Sequence, residues 1–140
     1  MTQTIFIASD HAGFNLKEHI ISSIKFNFKD LGTSSEEKVD YPDFAKKLIL
    51  EINNNKHSFG ILICGSGIGM AIAANRNKSI RAGLAFTPEI AKLMRQHNNA
   101  NVLVLPGRFI DIHEARKCVD IFLNTNFIGG RHQDRINKLS

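Results

Sequence analysis

Cysteines, long apolar runs and clustered charges are scarce in this chain. Only Cys64 and Cys118 are present. They form neither a paired framework nor a Cys-x-x-Cys clip, which excludes a disulfide-stapled scaffold and leaves both thiols free and reduced. No apolar run approaches the roughly 20 residues that span a bilayer. Met1 to Ile7 enters an alternating apolar stretch without a signal-peptide layout, so a cytoplasmic location is expected, away from membranes. The six histidines show neither His-x-x-x-His spacing nor a Cys/His cluster, so no metal site is expected. Basic residues are scattered and not interleaved with aromatics, which argues against a nucleic-acid surface. Repeats, low-complexity segments and linkers are lacking too.

What the chain does have is enough apolar material for one core: 140 residues, 43% of them hydrophobic, read as one domain over residues 1–140. The formal charge of +5 raises the local concentration of anions, and with no nucleic-acid signature the fitting partner is a small anionic metabolite.

Short apolar runs suited to buried strands recur at Thr4 to Ala8, Gly60 to Cys64, Ala82 to Phe86 and Asn101 to Leu105, with a weaker one at Lys25 to Leu31. Helical patterns lie between them: Leu16, Ile20 and Ile24 after Gly13; Phe44, Leu48 and Ile52 after Asp40; Ala71 to Asn75; Ile90, Leu93 and Met94 after Thr87; and about Asp111 to Leu123. Asp40-Tyr41-Pro42 and Thr87-Pro88-Glu89 each place an N-cap oxygen before a proline that has no amide hydrogen to lose. Strands alternating with helices call for an α/β, doubly wound (Rossmann-like), five-stranded parallel sheet covered on both faces. Its ligand sits beyond the carboxyl ends of the strands, where strand order reverses.

Chemistry-bearing residues gather after the strands. Ser9-Asp10-His11-Ala12-Gly13 puts a carboxylate and an imidazole where a helix opens; Asp10 alone there would suit a plain cap equally well. Cys64 runs into Gly65-Ser66-Gly67-Ile68-Gly69-Met70. Its glycines let a ligand approach the backbone, and the amides at the next helix's start favour a phosphate or an enediolate. The glycine spacing matches neither the dinucleotide fingerprint nor a P-loop. Beside a helix start Cys64 can have its pKa lowered and act as base or nucleophile, although buried cysteines are commonly inert packing, the reading given to Cys118. Arg95-Gln96-His97-Asn98-Asn99 precedes the fifth strand, and His97 suits either a solvated cap or a proton shuttle. Pro106-Gly107-Arg108 follows that strand. In the tail, Arg131 and Arg135 fall one turn apart if the segment is helical and can then converge on one phosphate; a solvated basic tail is the alternative.

Taken together, Ser9-Asp10-His11-Ala12-Gly13, Asp40-Tyr41-Pro42, Cys64-Gly65-Ser66-Gly67-Ile68-Gly69, Arg95-Gln96-His97-Asn98-Asn99 and Gly130-Arg131-His132-Gln133-x-Arg135 resemble the type B ribose-5-phosphate isomerases across nearly the whole chain. That family also contains galactose-6-phosphate and allose-6-phosphate isomerases. The resemblance implies aldose–ketose isomerisation in the pentose phosphate pathway through an enediolate, without a cofactor. Cys64 is then the base, Ser66 lies beside the reacting carbons, and the amides of Gly65, Gly67, Ile68 and Gly69 hold the enediolate oxygen. His97 opens the furanose ring, with Asp10 binding sugar oxygens opposite it and Asn98 assisting. His11, Arg108, Arg131 and Arg135 resemble the phosphate-binding set, and Tyr41 and His132 line the site. Some relatives carry a glutamate base six positions after the cysteine; Met70 stands there, which places this chain with the cysteine-dependent members. The family also implies a homodimer or homotetramer with sites shared between subunits. Two rival readings are a non-catalytic phosphate- or nucleotide-binding module, in which Cys64 is dispensable, and a thiol phosphatase, which lacks the arginine such a loop needs.

Overall fold

A computed structural model of the chain describes residues 3–139. Five strands alternate with helices: β1 (Thr4–Ser9), a 3-10 turn (His11–Gly13), α1 (Phe14–Ser23), β2 (Asn27–Asp30), α2 (Tyr41–Asn54), β3 (Phe59–Cys64), α3 (Ile68–Asn75), β4 (Ala82–Leu84), α4 (Pro88–Asn98), β5 (Val102–Pro106), α5 (Ile112–Asn124) and α6 (Arg131–Asn137). The sheet is parallel throughout, in the order β2-β1-β3-β5-β4. The expected doubly wound architecture is present.

Strands covered on both faces read as continuous apolar runs, and period-2 alternation sends their side chains to two separate cores. Ile61 and Ile63 of β3 join Ile5, Ile7, Leu103 and Leu105 beneath α1, α4 and α5. Leu62 and Cys64 join Phe6, Ala8, Val102 and Val104 beneath α2 and α3. At roughly 1.5–3 kcal/mol per large apolar side chain buried, the sheet is the main source of cohesion. Lys17 of α1 has a completely buried side chain whose Nζ lies 2.9 Å from Asp30 Oδ1 and 3.2 Å from Glu18 Oε1, tying the first helix to the edge strand.

Several local expectations need correction. The second strand is confined to Asn27–Asp30 and the fourth to Ala82–Leu84, leaving Phe86 exposed. Thr87 caps α4 by accepting from the Ile90 amide, but the Asp40 side chain makes no such bond although its backbone holds the cap position. The buried face of α4 is Ala91, Met94 and Arg95, with Ile90 exposed. Arg95 is tolerated there because the carbonyls of Thr125 and Ala100 and the Asn99 side chain accept its N–H groups, satisfying donors that burial would otherwise strand. No helix among the described residues is long and apolar enough to cross a membrane.

Candidate active site

Strand order reverses between β1 and β3, and the segments leaving their carboxyl ends meet there. The Asp10 amide donates to Ile63 O (3.2 Å), the Gly107 amide to Cys64 O (2.8 Å) and the Arg108 amide to Gly65 O (2.9 Å). The ends of β1, β3 and β5 are thereby fastened around one spot, the place a doubly wound sheet offers a ligand.

Asp10 is buried and caps the 3-10 turn through Oδ1, which accepts from the Gly13 amide at 3.1 Å. The cap reading therefore holds, and it occupies only one of the two carboxylate oxygens. His11 accepts the Val39 amide on Nδ1 at 3.2 Å, so a neutral ring carries its proton on Nε2. Sequence reading missed this partner, because a backbone amide 28 positions away leaves no signature in residue type. Gly13 has no room for a side chain, since a Cβ would stand 2.6 Å from Ile63 O.

Cys64 ends β3 with its thiol buried. Burial pushes its pKa up from the ordinary value and nearby Asp10 adds to the rise, while the backbone amides of Met70, Gly67 and Ser66 pull it down. The net direction is upward, which corrects the expectation of a lowered pKa: the helix amides are present, but desolvation outweighs them. Gly67 adopts φ 78° as the cap of α3, a left-handed conformation that favours glycine. The Ser66 hydroxyl accepts from the Ile68 amide at 3.2 Å. A Cβ on Gly69 would lie 2.6 Å from the Tyr41 ring, so Tyr41 packs directly on the loop. Arg108 crosses the other side, its Nη1 3.3 Å from where a Gly65 Cβ would be. Asp10, His11, Tyr41, Cys64 through Gly69 and Arg108 thus form one cluster.

The remaining candidates form a second. His97 and His132 stack, with ring centroids 4.3 Å apart and planes 10° from parallel. Arg131 and Arg135 flank them on a helical tail, and a cleft of ≈ 250 Å³ is lined by His97, Asn98, His132 and Arg135. The His132 pKa is lowered, first by desolvation and then by the charges of His97, Arg131 and Arg135.

The two clusters sit at opposite ends of the sheet. α4 leaves the carboxyl end of β4 and runs back, so its last residues lie beside the strands' amino starts, where the Asn101 amide meets Arg81 O and the Gly60 amide meets Asn101 O. Cys64 pairs with Pro106 at the other end of β5, about 13 Å away along the strand at ~3.3 Å per residue. One chain does not bring His97, Asn98, Arg131, His132 and Arg135 to Cys64. Among the described residues no three His, Cys, Asp or Glu side chains converge as a metal-binding group.

Residues 5–139 match the Ribose/Galactose Isomerase family. The chain belongs to this family. It is similar to the crystal structure of a ribose 5-phosphate isomerase from Thermotoga maritima, with 53% identity, a TM-score of 0.95, and coverage of 99% of this chain and 97% of that one. It is also similar to ribose-5-phosphate isomerase B from Mycoplasma genitalium, solved with bound ribulose-5-phosphate: 46% identity, TM-score 0.92, coverage 99% and 95%. Ribose-5-phosphate isomerase B of Escherichia coli strain K12 is 39% identical over 97% of this chain and 93% of its own length. Membership in the Ribose/Galactose Isomerase family agrees with the resemblance carried by the five sequence motifs, which span the same length.

Proposed function

We propose that this chain, as one domain over residues 1–140, interconverts D-ribose 5-phosphate and D-ribulose 5-phosphate by proton transfer, in the cytoplasm and without a cofactor. The observation that carries the reading is Cys64: a thiol facing the amides of Ser66, Gly67 and Met70 beside the Asp10 carboxylate, at the sheet's reversal point. Those amides favour the thiolate once the proton leaves Cys64 and hold the enediolate during reaction.

In the open-chain aldose, the Cys64 thiolate removes the proton from C2. The electrons of that bond form the C1=C2 double bond, and the charge passes to O1, where the amides between Gly65 and Gly69 hold it. Such preorganised donors are a large part of catalysis. The O2 proton then moves to O1 and the thiol returns its proton to C1, giving the ketose and restoring the thiolate. Ser66 stands beside the reacting carbons, Asp10 offers its second oxygen to sugar hydroxyls, and Tyr41 walls the site. His11, through Nε2–H, and Arg108 bind phosphate.

Ring opening and further phosphate contacts belong to His97, Asn98, Arg131, His132 and Arg135. Since these lie at the far end of the same sheet, we propose that a second copy of the chain supplies them and that the working unit is a homodimer or a pair of dimers. The exposed apolar residues Ile68 and Ile72 on α3, next to the glycine loop, suit an interface there. Six-carbon sugar phosphates such as allose 6-phosphate or galactose 6-phosphate are the nearest alternative substrates, one methylene-sized difference being worth only about 1–3 kcal/mol.

The test is ribose 5-phosphate turnover with chelator present, for wild type and Cys64→Ala together. Activity that survives chelation and falls by at least ~100-fold in the variant is expected for loss of a general base. No turnover by folded wild type removes the ribose assignment, and full activity in the variant removes Cys64 as base.

A further inference from the structure

At the amino ends of the strands, far from the glycine loop, lies a cavity of ≈ 450 Å³ whose lining includes Lys56, Ser79, Arg81, Arg95 and Asn101, and no carboxylate. Two guanidinium groups meet there without an ionic partner among the described residues. Arg81 donates from Nε to Asn98 O (3.1 Å) and Asn99 O (3.1 Å) and from Nη2 to Asn99 O (2.9 Å), leaving Nη1 unpartnered. Arg95 donates from Nε to Thr125 O (3.1 Å) and from Nη1 to Asn99 Oδ1 (2.9 Å) and Ala100 O (2.7 Å), leaving Nη2 unpartnered.

Arg95 is only 6% exposed, and its charge plane lies 4.7 Å from the Phe59 ring centroid. Among the described residues, the only fully enclosed side-chain polar atoms without a partner are Ser9 Oγ and Ser58 Oγ. The Nη2 of Arg95 is thus not fully enclosed, and Arg95 is one of the residues that line the cavity. A charge so buried ordinarily has a counter-charge. Here its charged neighbour is of the same sign: the Arg95 pKa is lowered by burial first and then by Arg81. Carbonyls satisfy some of the hydrogens but do not neutralise the two charges.

We infer that this cavity is a binding site for a phosphate group, carried either by inorganic phosphate or by a phosphomonoester, held between Arg81 Nη1 and Arg95 Nη2 with Lys56 at the rim. The site is separate from the one that turns over sugar phosphate and does not depend on that assignment. Guanidinium N–H groups match phosphate oxygens in geometry and charge, and the cavity is within the size range of small-molecule sites. Because Arg81 and Arg95 also hold the carbonyls and side chain of Asn98–Ala100, an anion drawn to them loads the turn that follows His97.

The experiment is a titration of the full-length protein with inorganic phosphate and, separately, with glycerol 3-phosphate, followed by the side-chain Nε–H resonances of Arg81 and Arg95 in nitrogen-15 NMR spectra. A saturable shift of both is expected, and the arm that saturates names the source of the phosphate. Lys56→Glu, an exposed substitution that leaves the clamp intact, should weaken that saturation by about fivefold, the scale of an exposed charge contact, while shifts at the Gly65–Gly69 amides stay unchanged. No saturation in either arm, or saturation indifferent to Lys56→Glu, overturns the inference.

Discussion

The placement of Cys64 and His97 at opposite ends of one sheet makes a quantitative prediction about mixed assemblies. Take two variants, Cys64→Ala and His97→Ala, each expected to lose about 10²- to 10⁴-fold of its turnover as a positioned proton-transfer group is removed. If each site joins the glycine loop of one copy to the His97 cluster of another across a two-fold axis, a heterodimer holds one site with both substitutions and one with neither. Equal amounts dissociated and reassembled give about half heterodimer, so about one quarter of wild-type sites return from two inactive parents. The assay is ribose 5-phosphate turnover before and after reassembly of a one-to-one mixture. The starting distance is about 13 Å along β5, too far for a side chain to bridge within one chain. Activity that stays at the mean of the parents, with heterodimer confirmed by mass, would refute the shared site.

Three further predictions concern the loop and the core. Gly67→Ala must hold a left-handed φ of 78° and press a Cβ against Leu84 Cδ1, costing about 2–4 kcal/mol from strain plus overpacking; urea unfolding measures it, and a loss below about 1 kcal/mol would contradict the geometry. Gly69→Ala has no such φ penalty, so its cost should come from the Tyr41 ring and vanish in a Tyr41→Ala background, where alanine gains up to ~1 kcal/mol of helix propensity; a double-mutant cycle with no coupling would reject this. The Cys118 thiol, pushed from 9.0 up to about 12 by burial first and then by Glu114, keeps its proton in the folded state while the unfolded chain releases it near 9.0. Its contribution to stability is thus complete below pH 9 and is lost by about 1.4 kcal/mol per unit as pH rises from there toward 12. Comparing unfolding free energies at pH 8 and pH 10 should show wild type falling more steeply than Cys118→Ala, and parallel curves would count against the buried proton.

The sheet was legible because its strands are short apolar runs separated by helical periods, and a parallel sheet buried on both faces leaves few other solutions for that pattern. Its errors sit at element ends and on the helix surface. Ile90 reads as core by residue type but faces out, while Arg95 reads as surface but lies inside, because carbonyls from Ala100 and Thr125 accept its hydrogens. The direction of the Cys64 pKa was misread for a related reason: a motif announces the amides of a helix start, but not how far the surrounding chain excludes water.

The candidate residues themselves came from the sequence, since glycines, a thiol, histidines and arginines at strand ends and in the tail identify themselves by type and spacing. How they divide did not. Residues that the motifs group as one site fall into two clusters because a helix between parallel strands must run back to the strands' amino ends, carrying His97 away from Cys64. The sequence determined the kinds of groups and the architecture that holds them, through hydrophobic period and local backbone chemistry. Tertiary structure alone decided which groups meet, because proximity across the chain depends on strand order and helix direction, and which are desolvated, because burial is a property of everything packed around a group.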